Sequence, residues 1–206
     1  IARGSVLSIT MVFVVINSIL FIGVAALIND LTLLLSIPAL VVLLGYSYLK
    51  RFTSLSHWGV GLALGLAPSA AYISVTGELA APPLVLSLIV FFWSGSFDIL
   101  YSLADREFDI AHGLHSIPVS LGTKGALIVS AAGHIPVLPL LWLLYLECEY
   151  LGPLYITGAL IFSLLLIYQH SIVKQDDLSR LNQAFFTSNG AASVLFAIFT
   201  IADIIF

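Results

Sequence analysis

Residues 97–113 read FDILYSLADREFDIAHG and hold four side chains able to do chemistry: Asp98, Tyr101, Asp105 and Asp109, spaced by three, four and four residues. Wound as one helix at ~100° per residue, they fall within an arc of roughly 80° on a single face. Asp98 stands in an otherwise apolar stretch, where a carboxylate is costly unless it meets a polar cavity or a partner. Three acids along one face repel each other at neutral pH. A cation must offset them, and the candidates are Arg106, Lys50, Arg51 or a bound divalent metal. Two aspartates four residues apart offer hard oxygen donors one turn apart. Mg2+ suits such a pair, because it takes one or two carboxylates, keeps several waters and shares substrate phosphates. The plainer alternative is a solvated helix end with internal ion pairs, such as Glu107 with a nearby base.

A basic element, YSYLKRFTSLSHW at 46–58, supplies Lys50 and Arg51. A lysine acts toward phosphate as a point charge, and an arginine binds it bidentately. The alternative is a topology anchor with an interfacial Trp58. The five histidines, His57, His112, His115, His134 and His170, form no HxxxH pair or carboxylate arrangement expected of zinc. His112 and His115 flank Gly113 and could line a site; His134 reads as a hydrogen-bonded intramembrane residue. A single cysteine, Cys148, excludes an internal disulfide and a cysteine-based metal cluster. No phosphate loop, dinucleotide fingerprint, nucleophile elbow or basic face for nucleic acid is present.

The elements that must position these residues are apolar. Of the 206 residues, 60% are hydrophobic and 9% charged, with a mean hydropathy of +1.12. A soluble domain carries about 25% charged residues, so a water-soluble globule and a disordered chain are both excluded. Apolar runs fall at 5–28, 31–49, 57–76, 82–104, 125–146, 151–170 and 185–206. Each can cross a ~30 Å hydrocarbon core as a helix, and none alternates as a barrel strand would. Pro38, Pro68, Pro136 and Pro139 lie within these runs and are expected to kink helices. The expected fold is an all-α, multi-pass membrane bundle of about seven helices. Seven spans sort every cation, Arg3, Lys50, Arg51, Arg106, Lys124, Lys174 and Arg180, to one side. The other side carries only acids: Asp30, Glu78, Glu147, Glu149 and Asp203. The positive-inside rule predicts that the basic side is cytoplasmic.

Residues 98–122, DILYSLADREFDIAHGLHSIPVSLG, resemble the second aspartate-rich motif of the UbiA superfamily of intramembrane aromatic prenyltransferases. Its pattern, D-x-x-Y-x-x-x-D-x-x-x-D followed by Gly, Ser and Gly, is matched by Asp98, Tyr101, Asp105, Asp109, Gly113, Ser116 and Gly122. GYSYLKRFT is similar to the segment before the family's fifth helix and supplies Tyr46, Lys50 and Arg51. KQDDLSRLNQAFFTSNG, at 174–190, resembles the 4-hydroxybenzoate polyprenyltransferase subgroup of archaeal and menaquinone-pathway type. The family's first motif, N-x-x-x-D-x-x-x-D, is absent, and Asn29-Asp30 does not replace it. The resemblance implies that 1–206 is a single transmembrane prenyltransferase domain corresponding to family helices three to nine, a piece lacking the first two.

The resemblance further implies Mg2+-dependent transfer of a polyprenyl group from an allylic polyprenyl diphosphate to an aromatic acceptor such as 4-hydroxybenzoate. Asp105 and Asp109 would be the metal ligands, Lys50 and Arg51 the diphosphate-binding residues, and Asp98, Tyr101 and Tyr46 the catalytic ones. The site would face one polar cavity at the membrane interface and open sideways to membrane lipid. Other acceptors (a naphthoate, a glycerol phosphate, a chlorin or a haem) stay open, as does the oligomeric state. The rival from another class is an ion-coupled transporter with Asp98 as the coupling carboxylate.

Overall fold

The structure, a computed structural model, describes the backbone from Arg3 to Phe206 and the side chains from Val6 onward. Ile1, Ala2 and the side chain of Arg3, one of the seven sorted cations, lie outside the described residues. The chain forms α1 (Arg3–Ile28), α2 (Asp30–Gly45), α3 (Ser56–Thr76), α4 (Ala81–Tyr101), α5 (Arg106–Ala111), α6 (Ile117–His134), α7 (Val137–Glu147), α8 (Pro153–Ile172) and α9 (Asn189–Ile205). A tight 3-10 turn, Tyr46–Arg51, extends α2, and a wide π-wound turn, Gln183–Ser188, leads into α9. Among the described residues there is no β-sheet, only one isolated bridge between Lys174 and Asp177. Seven segments are long and apolar enough to cross a membrane: Val6–Ile28, Asp30–Arg51, Ser56–Thr76, Ala81–Tyr101, Ile117–Glu147, Pro153–Ile172 and Gln183–Ile205. The expected all-α membrane bundle is the observed one, and the molecule is an integral membrane protein.

Two expectations need correction. The fourth apolar run does not stay helical to 104. After Tyr101 the backbone tightens to bonds three residues back, Leu103 N–H to Leu100 O, Ala104 to Tyr101 and Asp105 to Ser102, before α5 begins. The four-residue spacing across this break therefore does not place all four acid-motif side chains on one helix face. The fifth run starts at Ile117 rather than 125 and bends between α6 and α7. Pro136 sits at that bend, where its missing N–H cannot bond the preceding turn. Pro38 and Pro68 lie inside α2 and α3.

Without a hydrophobic drive between helices in lipid, close packing and buried hydrogen bonds hold the bundle. The tightest seam is α3 against α4. A Cβ added at Gly61 would lie 2.5 Å from the Phe91 carbonyl oxygen, so only glycine allows this approach. Ser69 and Ser87 join hydroxyls across the same seam at 2.7 Å. One apolar core joins α4, α7, α8 and α9 through Ile89, Val137, Leu141, Tyr155, Phe162 and Ala192. A second lies beneath the basic end of the bundle, built from Ile99, Leu100, Leu103, Ile117, Ala126 and Ala184. It is this second core that anchors the segments carrying the candidate site. At the opposite end the Asp203 carboxylate accepts the backbone N–H groups of Gly152 and Leu154, capping the start of α8.

Candidate active site

Three local structures converge at the basic end. The Tyr46–Arg51 turn presents Tyr46 and Lys50, and the Lys50 carbonyl accepts the His115 N–H at 2.7 Å. That bond ties the basic turn to the loop after α5. The last turn of α4 presents Asp98 and Tyr101, three residues apart and so on one face. Asp105 stands at the position that caps α5, yet its side chain makes no cap bond, which leaves the carboxylate free.

Together these elements enclose a cleft of about 220 Å3 lined by Tyr46, Lys50, His57, Asp98, Tyr101 and Asp105, with Ser47, Ser56, Val60 and Ser102 between them. Five of the seven sequence-predicted residues are brought together here: Tyr46, Lys50, Asp98, Tyr101 and Asp105. Arg51 is exposed, its guanidinium 5.3 Å from the centre of the Tyr48 ring. Asp109 does not line the cleft. Its side chain is fully buried, and Lys50 Nζ lies 2.8 Å from its Oδ1. Lys50 is thus the cation that offsets Asp109, while Arg106 donates from Nε to the Pro118 carbonyl at 3.0 Å. His112 stacks on Phe108 and His115 is exposed; neither lines the cleft.

The turns that shape the site explain the motif's small residues. Gly113 takes φ +63°, which lets the chain leave α5 in a left-handed conformation. The Ser116 hydroxyl caps α6 by accepting the Val119 N–H. Gly122, at φ +69°, interrupts α6 one turn later. The tail motif has a bracing role. Phe185 stacks on Tyr101 with ring centres 4.0 Å apart, and Asn189 accepts the Trp93 indole N–H at 3.0 Å. One face of the Tyr101 ring is therefore covered by Phe185.

His57 is the residue that sequence reasoning did not assign to the site. Its Nδ1 lies 2.7 Å from Asp98 Oδ2, and its Nε2 accepts the Ile117 backbone N–H at 3.4 Å. Its signal in the sequence is faint: a histidine at the second position of α3, close after the basic turn. His134, expected to be hydrogen-bonded within the membrane, meets His170 at 2.8 Å.

Among the described residues no three His, Cys, Asp or Glu side chains converge as a metal cage. The oxygens that are present suit a different mode of binding. Asp105 is unpaired at the cleft, and Asp109 lies behind Lys50 with no hydrogen-bond partner for Oδ2. Hard carboxylate oxygens of this kind fit a Mg2+ ion that takes few protein ligands and shares phosphate oxygens.

The fold and cleft define a class: an integral membrane bundle with a small polar cleft of carboxylates, an ammonium and aromatic rings at one end. Residues 1–190 match the UbiA prenyltransferase family, and the chain belongs to that family. A 4-hydroxybenzoate octaprenyltransferase from Serratia proteamaculans is 30% identical over 189 residues, covering 89% of this chain and 62% of that protein. Another from Methylobacillus flagellatus is 26% identical over 168 residues, covering 82% and 56%. The chain thus spans about 60% of the length of these curated relatives. The apo structure of a UbiA homologue from Aeropyrum pernix K1 superposes with a TM-score of 0.78 at 30% identity, covering 90% of this chain and 69% of that one. A digeranylgeranylglyceryl phosphate synthase structure shares the fold at 18% identity, with the same TM-score and coverage of 93% and 68%.

Proposed function

We propose that this protein transfers a polyprenyl group from an allylic polyprenyl diphosphate to an aromatic acceptor such as 4-hydroxybenzoate, with Mg2+ as cofactor. The observation that carries the reading is the pairing of two cavities on the same helices. The polar cleft gathers Lys50, Asp98 and Asp105 at the basic end. Further along α2, α3 and α4, with α1 as a fourth wall, lies an open apolar cavity of about 1500 Å3 whose lining includes Phe21, Leu40, Leu66, Leu88 and Phe91. A diphosphate at the cleft and an isoprenoid in the apolar cavity would each meet matching surroundings. The tail gains nothing by leaving an apolar medium, and the diphosphate cannot enter one unpaired. By the positive-inside rule the cleft faces the cytoplasm.

In this reading the allylic C–O bond breaks and the diphosphate departs with the electron pair. A carbon of the acceptor ring forms the new C–C bond and loses its proton to Asp98. Lys50 stabilises the negative charge that develops on the leaving group. Lys50 can exchange Asp109 for the diphosphate as its partner. Asp105 would hold Mg2+ at the cleft, joined by Asp109 once Lys50 has turned to the diphosphate, and the ion when bound neutralises the diphosphate. The Tyr101 and Tyr46 rings, both lining the cleft, each stabilise an allylic cation by about 0.5–2 kcal/mol.

The test is incubation of the full-length protein in lipid nanodiscs with a polyprenyl diphosphate, Mg2+ and a panel of acceptors. Acceptor-dependent release of pyrophosphate with formation of a prenylated ring supports the reading. Ion flux driven by any of these compounds without a covalent product would replace it with a carrier.

A further inference from the structure

His57 lies near the end of the basic segment, and its imidazole, 3% exposed, bridges three elements. It starts in α3, meets Asp98 of α4 through Nδ1 at 2.7 Å, and receives the Ile117 N–H of α6 on Nε2 at 3.4 Å. Ile117 is the first residue of α6, so its N–H is one of the four that a helix start leaves without an intrahelical partner. An N–H aimed at Nε2 requires a lone pair there. The ring proton then sits on Nδ1 and is donated to Asp98 Oδ2.

This arrangement does two things to Asp98. It occupies Oδ2 and leaves Oδ1 as the oxygen free to serve the cleft. It also tethers the carboxylate through one oxygen, which sets the direction in which the other points. The other groups facing the cleft, Tyr46, Lys50, Tyr101, Ser102 and Asp105, make no hydrogen bond to the Asp98 carboxylate; the Ser102 N–H donates to the Asp98 backbone carbonyl instead.

We propose that His57 is the positioning residue of Asp98: held as the Nδ1–H tautomer by the start of α6, it fixes which carboxylate oxygen meets the acceptor ring. This deepens the prenyltransfer reading and rests on it. His57 does not touch substrate in this role; it acts through Asp98.

Two measurements test the proposal. The first is nitrogen-15 NMR of histidine-labelled protein in nanodiscs, with His57 assigned by comparison with His57→Asn. We expect a protonated Nδ1 and an unprotonated Nε2, with the Nδ1 signal moved by Asp98→Asn. An Nε2–H tautomer, a doubly protonated ring, or no response to Asp98→Asn overturns the proposal. This readout needs no turnover, so it decides the pairing even if the protein transfers no prenyl group, a result that would sink the functional reading alone. The second is kinetic. His57→Leu keeps bulk without a donor and should lower kcat by about 10- to 100-fold, with KM for the diphosphate within about twofold. His57→Asn restores an N–H near the Nδ1 position and should recover kcat to within about fivefold of wild type. Equal losses in both variants, or a loss confined to KM, would contradict a positioning role.

Discussion

The Lys50–Asp109 pair gives the site its most quantifiable dependence on one contact. The two charges are 2.8 Å apart, with side chains 28% and 0% exposed. At an effective dielectric of about 20 the gross attraction is ~6 kcal/mol, most of which offsets the cost of taking both ions from water. The asymmetry in exposure decides what each single change does. Lys50→Met keeps the alkyl stem but leaves Asp109 buried and unpaired, which should cost about 3–5 kcal/mol. Asp109→Asn leaves an ammonium that can still reach solvent, and should cost about 1–2 kcal/mol. The double variant removes the stranded charge, so it should be more stable than Lys50→Met by at least ~1 kcal/mol. At about 2–4 °C per kcal/mol for a chain of this size, Lys50→Met should lower Tm on the order of 10 °C. Thermal unfolding in detergent, followed by tryptophan fluorescence, reads these shifts. If Lys50→Met costs no more than Asp109→Asn and the two effects simply add, the buried ion pair is not what organises this end of the bundle.

Gly61→Ala should destabilise by about 1–3 kcal/mol, because its Cβ would meet the Phe91 carbonyl, whereas Gly23→Ala, with nothing within 4 Å, should stay within ~0.5 kcal/mol; equal effects in unfolding measurements would remove the α3–α4 seam from the explanation. Cysteine labelling of Lys124→Cys in a Cys148→Ser background should proceed from the cytoplasm, and reaction only from outside would overturn the charge-sorting argument. Turnover should tolerate a series of isoprenoid lengths better than replacement of diphosphate by monophosphate. Sharp selection for one short chain, or equal use of monophosphates, would point to a closed pocket.

The seven spans were readable because a run of about twenty apolar residues has few alternatives. The sorting of cations then supported their number without any contact being known. The cleft was partly readable: Asp98 and Tyr101 share a face, and Tyr46 and Lys50 arrive from the adjoining basic end. The break after Tyr101 was not, since Ser102, Leu103, Ala104 and Asp105 include no proline or glycine to announce it. That break is what separates Asp109 from Asp105 and turns it toward Lys50. The His57–Asp98 bond spans 41 residues and depends on how α3, α4 and α6 pack. Local spacing carries no trace of such a contact. Arg106 looked as able as Lys50 to offset the acids, and only the fold commits it to the Pro118 carbonyl.

The proposed prenyl transfer requires that the carboxylate-lined cleft at the basic end be where the diphosphate is activated. The most direct measurement is the Mg2+ dependence of prenyl transfer in the full-length protein, comparing wild type with Asp105→Asn and Asp109→Asn. We expect each variant to lower turnover at least ~100-fold, a barrier increase of about 2.7 kcal/mol, and to need more Mg2+ for half-maximal rate, because an amide is a poorer ligand than a carboxylate. Wild-type rates and unchanged Mg2+ dependence in Asp105→Asn would contradict the assignment of this cleft as the active site.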